Sequence, residues 1–507
     1  MEKTRLAGWA PWILFLAITA IYLGLPTKNY YWDGVSFAQT IESSHGLRPS
    51  LIHPNHLIYN TVGWLAYSAA LKLGLATRAL YVLQHLNAIF GGLCVCLVFL
   101  LVRRTTGSLH AASVLSLLFA FSGTWWKFVT DADAYIPSVL LLTATCWLVL
   151  PGNRPRPTAA AVTHAGAMFF HQLAVFFFPA ALLAIWFQTR TLPAARRCAE
   201  ILEYALLAGV ITLGGFAFAF GISQPSHSLA AFVRWITSNS HGPSFSFAVG
   251  KNAVTTLQNY IQLFFVGRPA LVRAADPLIL IPAIALVLVS LWFIGQLVQH
   301  GIGFRIVLRN RPVFAVAAVW VAAYSAFLFF WEPYNAFYKL FLLPGVILLP
   351  ASLSAESRPA PSNRSWALVA ILALFNFTFA IVPYSRASSN AGVQFASSLQ
   401  QRWAPNAVVY YADFVNIDSF SRYFTPGASW RPLDRRDLRG AEAEIAATRR
   451  SGREVWLDRT AIDFLAKADP GWFSAHTAGA QWLELRDRSH DVRFVRVTPA
   501  STGGPGL

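Results

Sequence analysis

Apolar runs separated by short polar turns recur from residue 9 to about residue 384. A hydrocarbon core about 30 Å thick takes roughly 20 helical residues to cross. Runs at 9–26, 79–102, 109–127, 134–150, 158–170, 172–189, 201–221, 275–299, 313–331, 339–353 and 366–384 meet or approach that length, and predict about eleven spans. The run at 9–26 follows Lys3 and Arg5, as in a signal peptide, but residues 26–31 offer no small-residue cleavage site, so it is read as the first span. The stretch 55–75 is read differently. It opens on His53, Pro54, Asn55 and His56 and carries Tyr59, Asn60, Trp64 and Tyr67, which suits a helix lying in the interface with its aromatic rings at headgroup level. Past residue 385 the pattern becomes that of a soluble chain: 406–414, 453–458, 481–486 and 492–497 read as strands, 441–450 and 460–468 as helices, and 501–507 as a disordered tail. The expected architecture is mostly α, with a polytopic transmembrane helical bundle over 1–384 and a small α/β soluble domain over 385–507.

Composition agrees with lipid as the main solvent: of 507 residues, 55% are hydrophobic and 12% charged, and the mean hydropathy is +0.47, far from a soluble globular balance. The net charge of +17 does not point to nucleic acid, because the basic residues are scattered through short loops instead of gathering on one soluble face. They act as topology signals. With the N-terminus in the cytoplasm, the loops carrying Arg103 and Arg104, Arg154 and Arg156, Arg190 with Arg196 and Arg197, Arg305 with Arg309 and Arg311, and Arg358 with Arg364 all fall on the cytoplasmic side. An odd number of spans then puts the C-terminal domain outside. Cys94, Cys96, Cys146 and Cys198 lie in apolar spans or beside a basic loop, so neither a disulfide framework nor a zinc pattern is indicated.

This topology gathers polar residues on the outer side. Asp33 follows Tyr30, Tyr31 and Trp32 and precedes Gly34; an aromatic belt ending in a solvated carboxylate is the plainer reading of that cluster. The next outer turn carries Lys127, Asp131, Asp133 and Tyr135, where helix capping by Asp133 accounts for one carboxylate of the two. His171 and Gln172 sit at the tip of a tight hairpin, and an ionisable group at membrane depth defaults to a functional hypothesis. Later outer segments add Arg234, His241, Lys251, Arg268 and Arg273, then Glu332, Tyr334, Asn335, Tyr338 and Lys339. Anionic headgroups account for scattered positive charge, and so does a bound phosphate. Carboxylates and histidines beside cations at one membrane face suit group transfer from a lipid phosphate: a carboxylate accepts the proton of an acceptor hydroxyl, and positive charge stabilises the departing phosphate.

At these residues the chain resembles the C-type (GT-C) membrane glycosyltransferases, the superfamily of protein O-mannosyltransferases and of the bacterial enzymes that put aminoarabinose on lipid A. Tyr31-Trp32-Asp33-Gly34 matches the family's acidic motif after the first span, and His53-Pro54-Asn55-His56 leads into a juxtamembrane helix like the family's. Asp131-Ala132-Asp133 matches the second acidic motif; Arg103-Arg104 after the second span and the outer C-terminal domain also fit. The resemblance is specific to about His171 and architectural beyond it, and Pro54-Asn55 stands where the family often pairs prolines. It implies that a sugar moves from a polyprenyl-phosphate-linked donor to a hydroxyl of a protein, lipid or glycan acceptor at the extracytoplasmic face. Asp33 would be the base, Asp131 or Asp133 would orient the acceptor or bind a divalent metal, and Arg268, Arg273 or Lys339 would hold the donor phosphate. His53, His56, His171, Glu332 and Tyr338 complete the expected substrate site. Metal use differs among members, so none is assigned. Two rival readings are a transporter or flippase, which usually shows inverted repeats absent from this sequence, and a polysaccharide polymerase or ligase, which the long segment 221–276 keeps in view.

Overall fold

A computed structural model describes residues 2–75, 78–150, 156–226, 228–237, 245–267, 276–300, 305–308, 310–356, 363–413, 418–486 and 491–499. Arg154, His241, Arg268, Arg273, Arg309, Arg358 and the tail 501–507 lie outside them. The chain divides into two compact units, Met1–Ser385 and Arg386–Leu507.

The first unit is helical. Its helices are α1 Glu2–Gly24, α2 Trp32–Ser43, α3 Tyr59–Lys72, α4 Ala79–Thr106, α5 Leu109–Ala120, α6 Gly123–Val129, α7 Tyr135–Val149, α8 Pro157–Phe170, α9 Phe178–Gln188, α10 Ala194–Ser223, α11 Leu229–Thr237, α12 Val249–Phe264, α13 Pro277–His300, α14 Arg311–Trp331, α15 Leu343–Ala351 and α16 Asn363–Asn376. A π turn, Phe377–Ile381, carries the last of these on to Tyr384. Among the described residues, five helices have the length and composition of a span: Ala79–Thr106, Ala194–Ser223, Pro277–Gln299, Arg311–Trp331 and Asn363–Tyr384. The pair α5 and α6, bent by 66°, makes a sixth if counted together. The expected eleven are therefore not all realised at full length: Gly8–Gly24, Tyr135–Val149, Gln172–Gln188 and Phe337–Ala351 are apolar but shorter. The stretch 55–75 forms the helix α3, whose 14 residues reach only about 21 Å at 1.5 Å per residue, too short to cross.

The central element is α4, which packs against α1, α2, α3, α5 and α7. Its small residues permit close approach: a Cβ at Gly91 would collide with Val129, and one at Gly92 with the Thr19 hydroxyl. The α4 helix closes on Gly107 at φ +70°, a left-handed C-cap that glycine adopts without strain. Arg104 in its last turn donates to the Trp147 and Leu150 carbonyls and lies over the Trp147 ring, closing the C-terminus of α7. A short antiparallel pair, β1 Arg305–Leu308 and β2 Leu353–Glu356, and the helices α2, α11 and α12 are elements of this unit that the sequence pattern did not announce.

The second unit is a five-stranded sheet with helices. Its strands are β3 Val408–Tyr411, β4 Ser429–Pro432, β5 Val455–Asp458, β6 Trp482–Arg486 and β7 Asp491–Arg496, in the order β4-β3-β5-β7-β6. The β3 strand runs parallel to β4 and β5, while β7 is antiparallel to β5 and β6. Every residue of β3 and β5 is buried, as expected of parallel strands covered on both faces. The four expected strands and two expected helices are present within three residues of their expected ends; β4 and the helices Ala391–Arg402, Ser419–Phe424 and Pro470–Thr477 are additional.

Candidate functional site

Three chain segments meet at one end of the first unit, held together mainly by amides on α4. Gln84 donates to the Thr27 and Thr130 carbonyls at 2.7 and 2.8 Å. One turn on, Asn87 donates to the Asp131 and Asp133 carbonyls at 2.9 and 2.8 Å. The first loop is thereby fixed to the turn that follows α6, and the Lys28 and Asn29 amides extend the tie to the Tyr384 carbonyl.

The two acidic motifs touch. The Tyr31 N–H donates to Asp131 Oδ2 at 2.9 Å, and a Cβ at Gly34 would collide with the Ala132 carbonyl oxygen. Glycine is thus required by contact, not by φ. Asp131 is fully buried and committed: Oδ2 also accepts from Lys127 Nζ at 2.6 Å, and Oδ1 from the Ala132 N–H at 2.8 Å. The sequence placed Asp131 among the catalytic candidates; in the structure it is a clamp whose oxygens are occupied. Asp133 accepts from the Tyr135 N–H at 2.9 Å through Oδ1, but it does not cap α7 as expected: the N-cap is Ala134, and Asp133 closes a turn one residue ahead of it, while its Oδ2 is buried without a partner among the described residues. Burial and the Asp33 and Asp131 charges push the Asp133 carboxyl up. Asp33 lies in the first turn of α2 and stays partly exposed. A helix N-terminus favours a carboxylate, but desolvation and the neighbouring Asp131 charge prevail and lift Asp33 to about 7.

Aromatic rings and histidines surround these carboxylates. Tyr135 stacks on Phe337 at 5.6 Å, and Tyr338 packs against Tyr135 at 5.7 Å and Trp331 at 4.9 Å. Tyr31 lies 5.1 Å from Phe337, and Lys127 sits 4.2 Å above the Phe128 ring. His53 stacks on His56 at 5.4 Å, and His56 lies 4.9 Å from His171. His53 and His171 use Nδ1 to accept the Asn55 and Leu173 N–H groups. Burial pushes His171 down to about 3 and lowers His56 as well, so these two rings favour the neutral form and contribute apolar surface in place of positive charge. No group of three or more His, Cys, Asp or Glu side chains among the described residues is placed to hold a metal ion.

The remaining predicted residues divide. Lys339 is 1% exposed and donates to the Pro333 and Asn335 carbonyls, both at 3.3 Å, with no carboxylate in ion-pair range among the described residues. Glu332 is buried and accepts from the Asn335 amide. Arg268 and Arg273 fall outside the described residues. Sequence reasoning missed Gln84 and Asn87, whose signal was two amides one turn apart in an otherwise apolar span, and did not assign Lys127 its role as partner of Asp131.

No family model matches the chain, and no curated protein matches it in sequence. Among solved structures, the crystal structure of ArnT from Cupriavidus metallidurans bound to undecaprenyl phosphate aligns over 98% of this chain and 99% of that one, with a TM-score of 0.59 and 14% identity. ArnT from the same organism in the apo state aligns over 99% and 100%, with a TM-score of 0.48 and the same identity. At that identity the first of these likenesses is one of fold, and it runs the length of both chains: the polypeptide has an ArnT-like fold.

Proposed function

We propose that the protein is a membrane glycosyltransferase that moves a sugar from a polyprenyl-phosphate-linked donor to an acceptor hydroxyl at the extracytoplasmic face. The observation that carries this reading is Asp33: a partly exposed carboxylate lifted to about 7 beside the occupied Asp131–Lys127 pair, in a fold shared with an ArnT that binds undecaprenyl phosphate. In the reaction, the acceptor oxygen bonds to the anomeric carbon as the bond from that carbon to the phosphate oxygen breaks. The hydroxyl proton passes to Asp33, and the electron pair leaves with polyprenyl phosphate. Asp133, with one oxygen unpartnered among the described residues, orients the acceptor hydroxyl. Lys339, with Arg268 and Arg273, is assigned to the departing phosphate, where an ammonium acts as a point charge and guanidinium groups give bidentate contacts. The aromatic wall of Tyr135, Tyr338 and Phe337 suits the faces of a sugar ring and excludes water. The orientation that matches is a cytoplasmic N-terminus and an extracytoplasmic C-terminal domain.

The reading is tested with purified protein in proteoliposomes and a panel of radiolabelled polyprenyl-phosphate sugars. Acceptor-dependent release of polyprenyl phosphate from at least one donor is expected. Absence of release across the panel, with transport of an intact donor across the vesicle, would move the protein to the flippase class.

A further inference from the structure

A second feature at the same end of the bundle lies apart from the carboxylates. The α10 helix stops at Gln224, ahead of Pro225, and the chain turns into α11, whose start is capped by Ser228 accepting the Ala231 N–H at 3.2 Å. Phe232, Trp235 and Ile236 of α11 pack on Phe216 and Ala219 of α10 and on Leu57, while Leu229 and Val233 remain exposed. A short helix that anchors one side to a span and shows apolar side chains on the other belongs at the lipid interface. Between α10 and α11 lies an open cavity of about 350 Å³, within the range of small-ligand sites, roughly 300–1,000 Å³. Phe220 and Trp235 wall it; Gln224, Ser226 and Arg234 supply its polar groups. Arg234 makes no ion pair among the described residues.

We propose that this cavity is a binding site for the headgroup of an anionic phospholipid, with Arg234 as the partner of its phosphate. One guanidinium matches the single charge of a phosphodiester and offers it two parallel hydrogen bonds. Gln224 and Ser226 suit the hydroxyls of a glycerol headgroup, and the apolar walls with exposed Leu229 and Val233 suit the start of the acyl chains. The site reports to the carboxylate cluster through Gln172, whose amide donates to the Ile236 carbonyl at the end of α11 and to the Pro54 carbonyl in the His53–His56 turn, at 3.1 and 3.0 Å. Its occupancy does not depend on sugar transfer, so it stands or falls separately from the catalytic reading.

The test is native mass spectrometry of the full-length protein, delipidated in neutral detergent and titrated with phosphatidylglycerol, phosphatidylcholine or inorganic phosphate. Wild type is expected to take up one phosphatidylglycerol with an affinity that falls roughly tenfold in Arg234→Gln and in Ser226→Asp, the second of which adds a repelling charge, and that falls less in Arg234→Lys, which keeps the charge and loses the paired hydrogen bonds. Phosphatidylcholine uptake should be equal in all four proteins. Phosphatidylglycerol uptake by both Arg234→Gln and Ser226→Asp equal to that of wild type overturns the site. Displacement of phosphatidylglycerol by inorganic phosphate at equal concentration also overturns it, since the ligand would then be free phosphate.

Discussion

Asp33 and Asp131 are both carboxylates at the same membrane-end cluster, yet their surroundings give them different work. Asp131 has two hydrogen bonds and an ion pair on its oxygens; Asp33 has a negative neighbour and a desolvated site that lift it to about 7. A base acts only when deprotonated, so transfer should be slow at pH 6, where roughly a tenth of Asp33 is ionised, and rise through pH 7 to a plateau near 8. A pH–rate profile that stays flat between 5 and 8 would remove Asp33 from that role. Linkage gives a control of independent sign. The folded-state value is raised, so the favourable contribution of protonated Asp33 is complete below the ordinary carboxylate range and is lost as pH rises through about 7. Asp33→Asn should therefore melt no lower than wild type, with an advantage that grows from about pH 4 to about pH 7 and is level above that.

At the scale of elements, α4 organises the site through side chains that face inward from a span. Replacing Asn87 with Leu leaves the Asp131 and Asp133 carbonyls without their donor, and should cost about 2–4 kcal/mol in unfolding free energy. Thermal melting in detergent measures this, and an unchanged melt would mean the two acidic turns hold themselves. Asn376 plays a comparable part, donating to the Phe121 and Phe264 carbonyls and accepting from the Val266 N–H immediately before the π turn. That tie fixes the break between α5 and α6, and α6 carries Lys127. Such ties are poorly legible in sequence, because a buried amide differs from a solvated one only in where its backbone partners lie. The acidic motifs were legible, since the residues sit beside aromatic clusters at the ends of apolar runs; which carboxylate is occupied was not, because Lys127 meets Asp131 four residues on only when the chain stays helical past Lys127, where the apolar run ends.

Over the whole molecule, hydropathy carried most of the architecture: the long apolar helices, the short α3 and the change to a mixed sheet after residue 385 all follow from residue patterning. Span count did not follow as well, because helices such as Tyr135–Val149 and Phe337–Ala351 are apolar but short, and apolarity alone does not separate a full crossing from a partial one. The orientation is open to direct measurement with the protein's own thiols. Cys94, Cys96 and Cys146 are buried, while Cys198 is exposed beside Arg196 and Arg197 at the start of α10. A membrane-impermeant maleimide should label Cys198 in broken membranes and not in intact cells; labelling in intact cells would invert the topology and place the carboxylate cluster in the cytoplasm.

The most direct measurement is sugar transfer from the labelled donor panel in proteoliposomes holding equal amounts of wild type or Asp33→Asn. The account predicts transfer by wild type that falls roughly a hundredfold to ten-thousandfold in the variant, the range of a lost general base, with the melting temperature undiminished. Transfer by Asp33→Asn at the wild-type rate would contradict it.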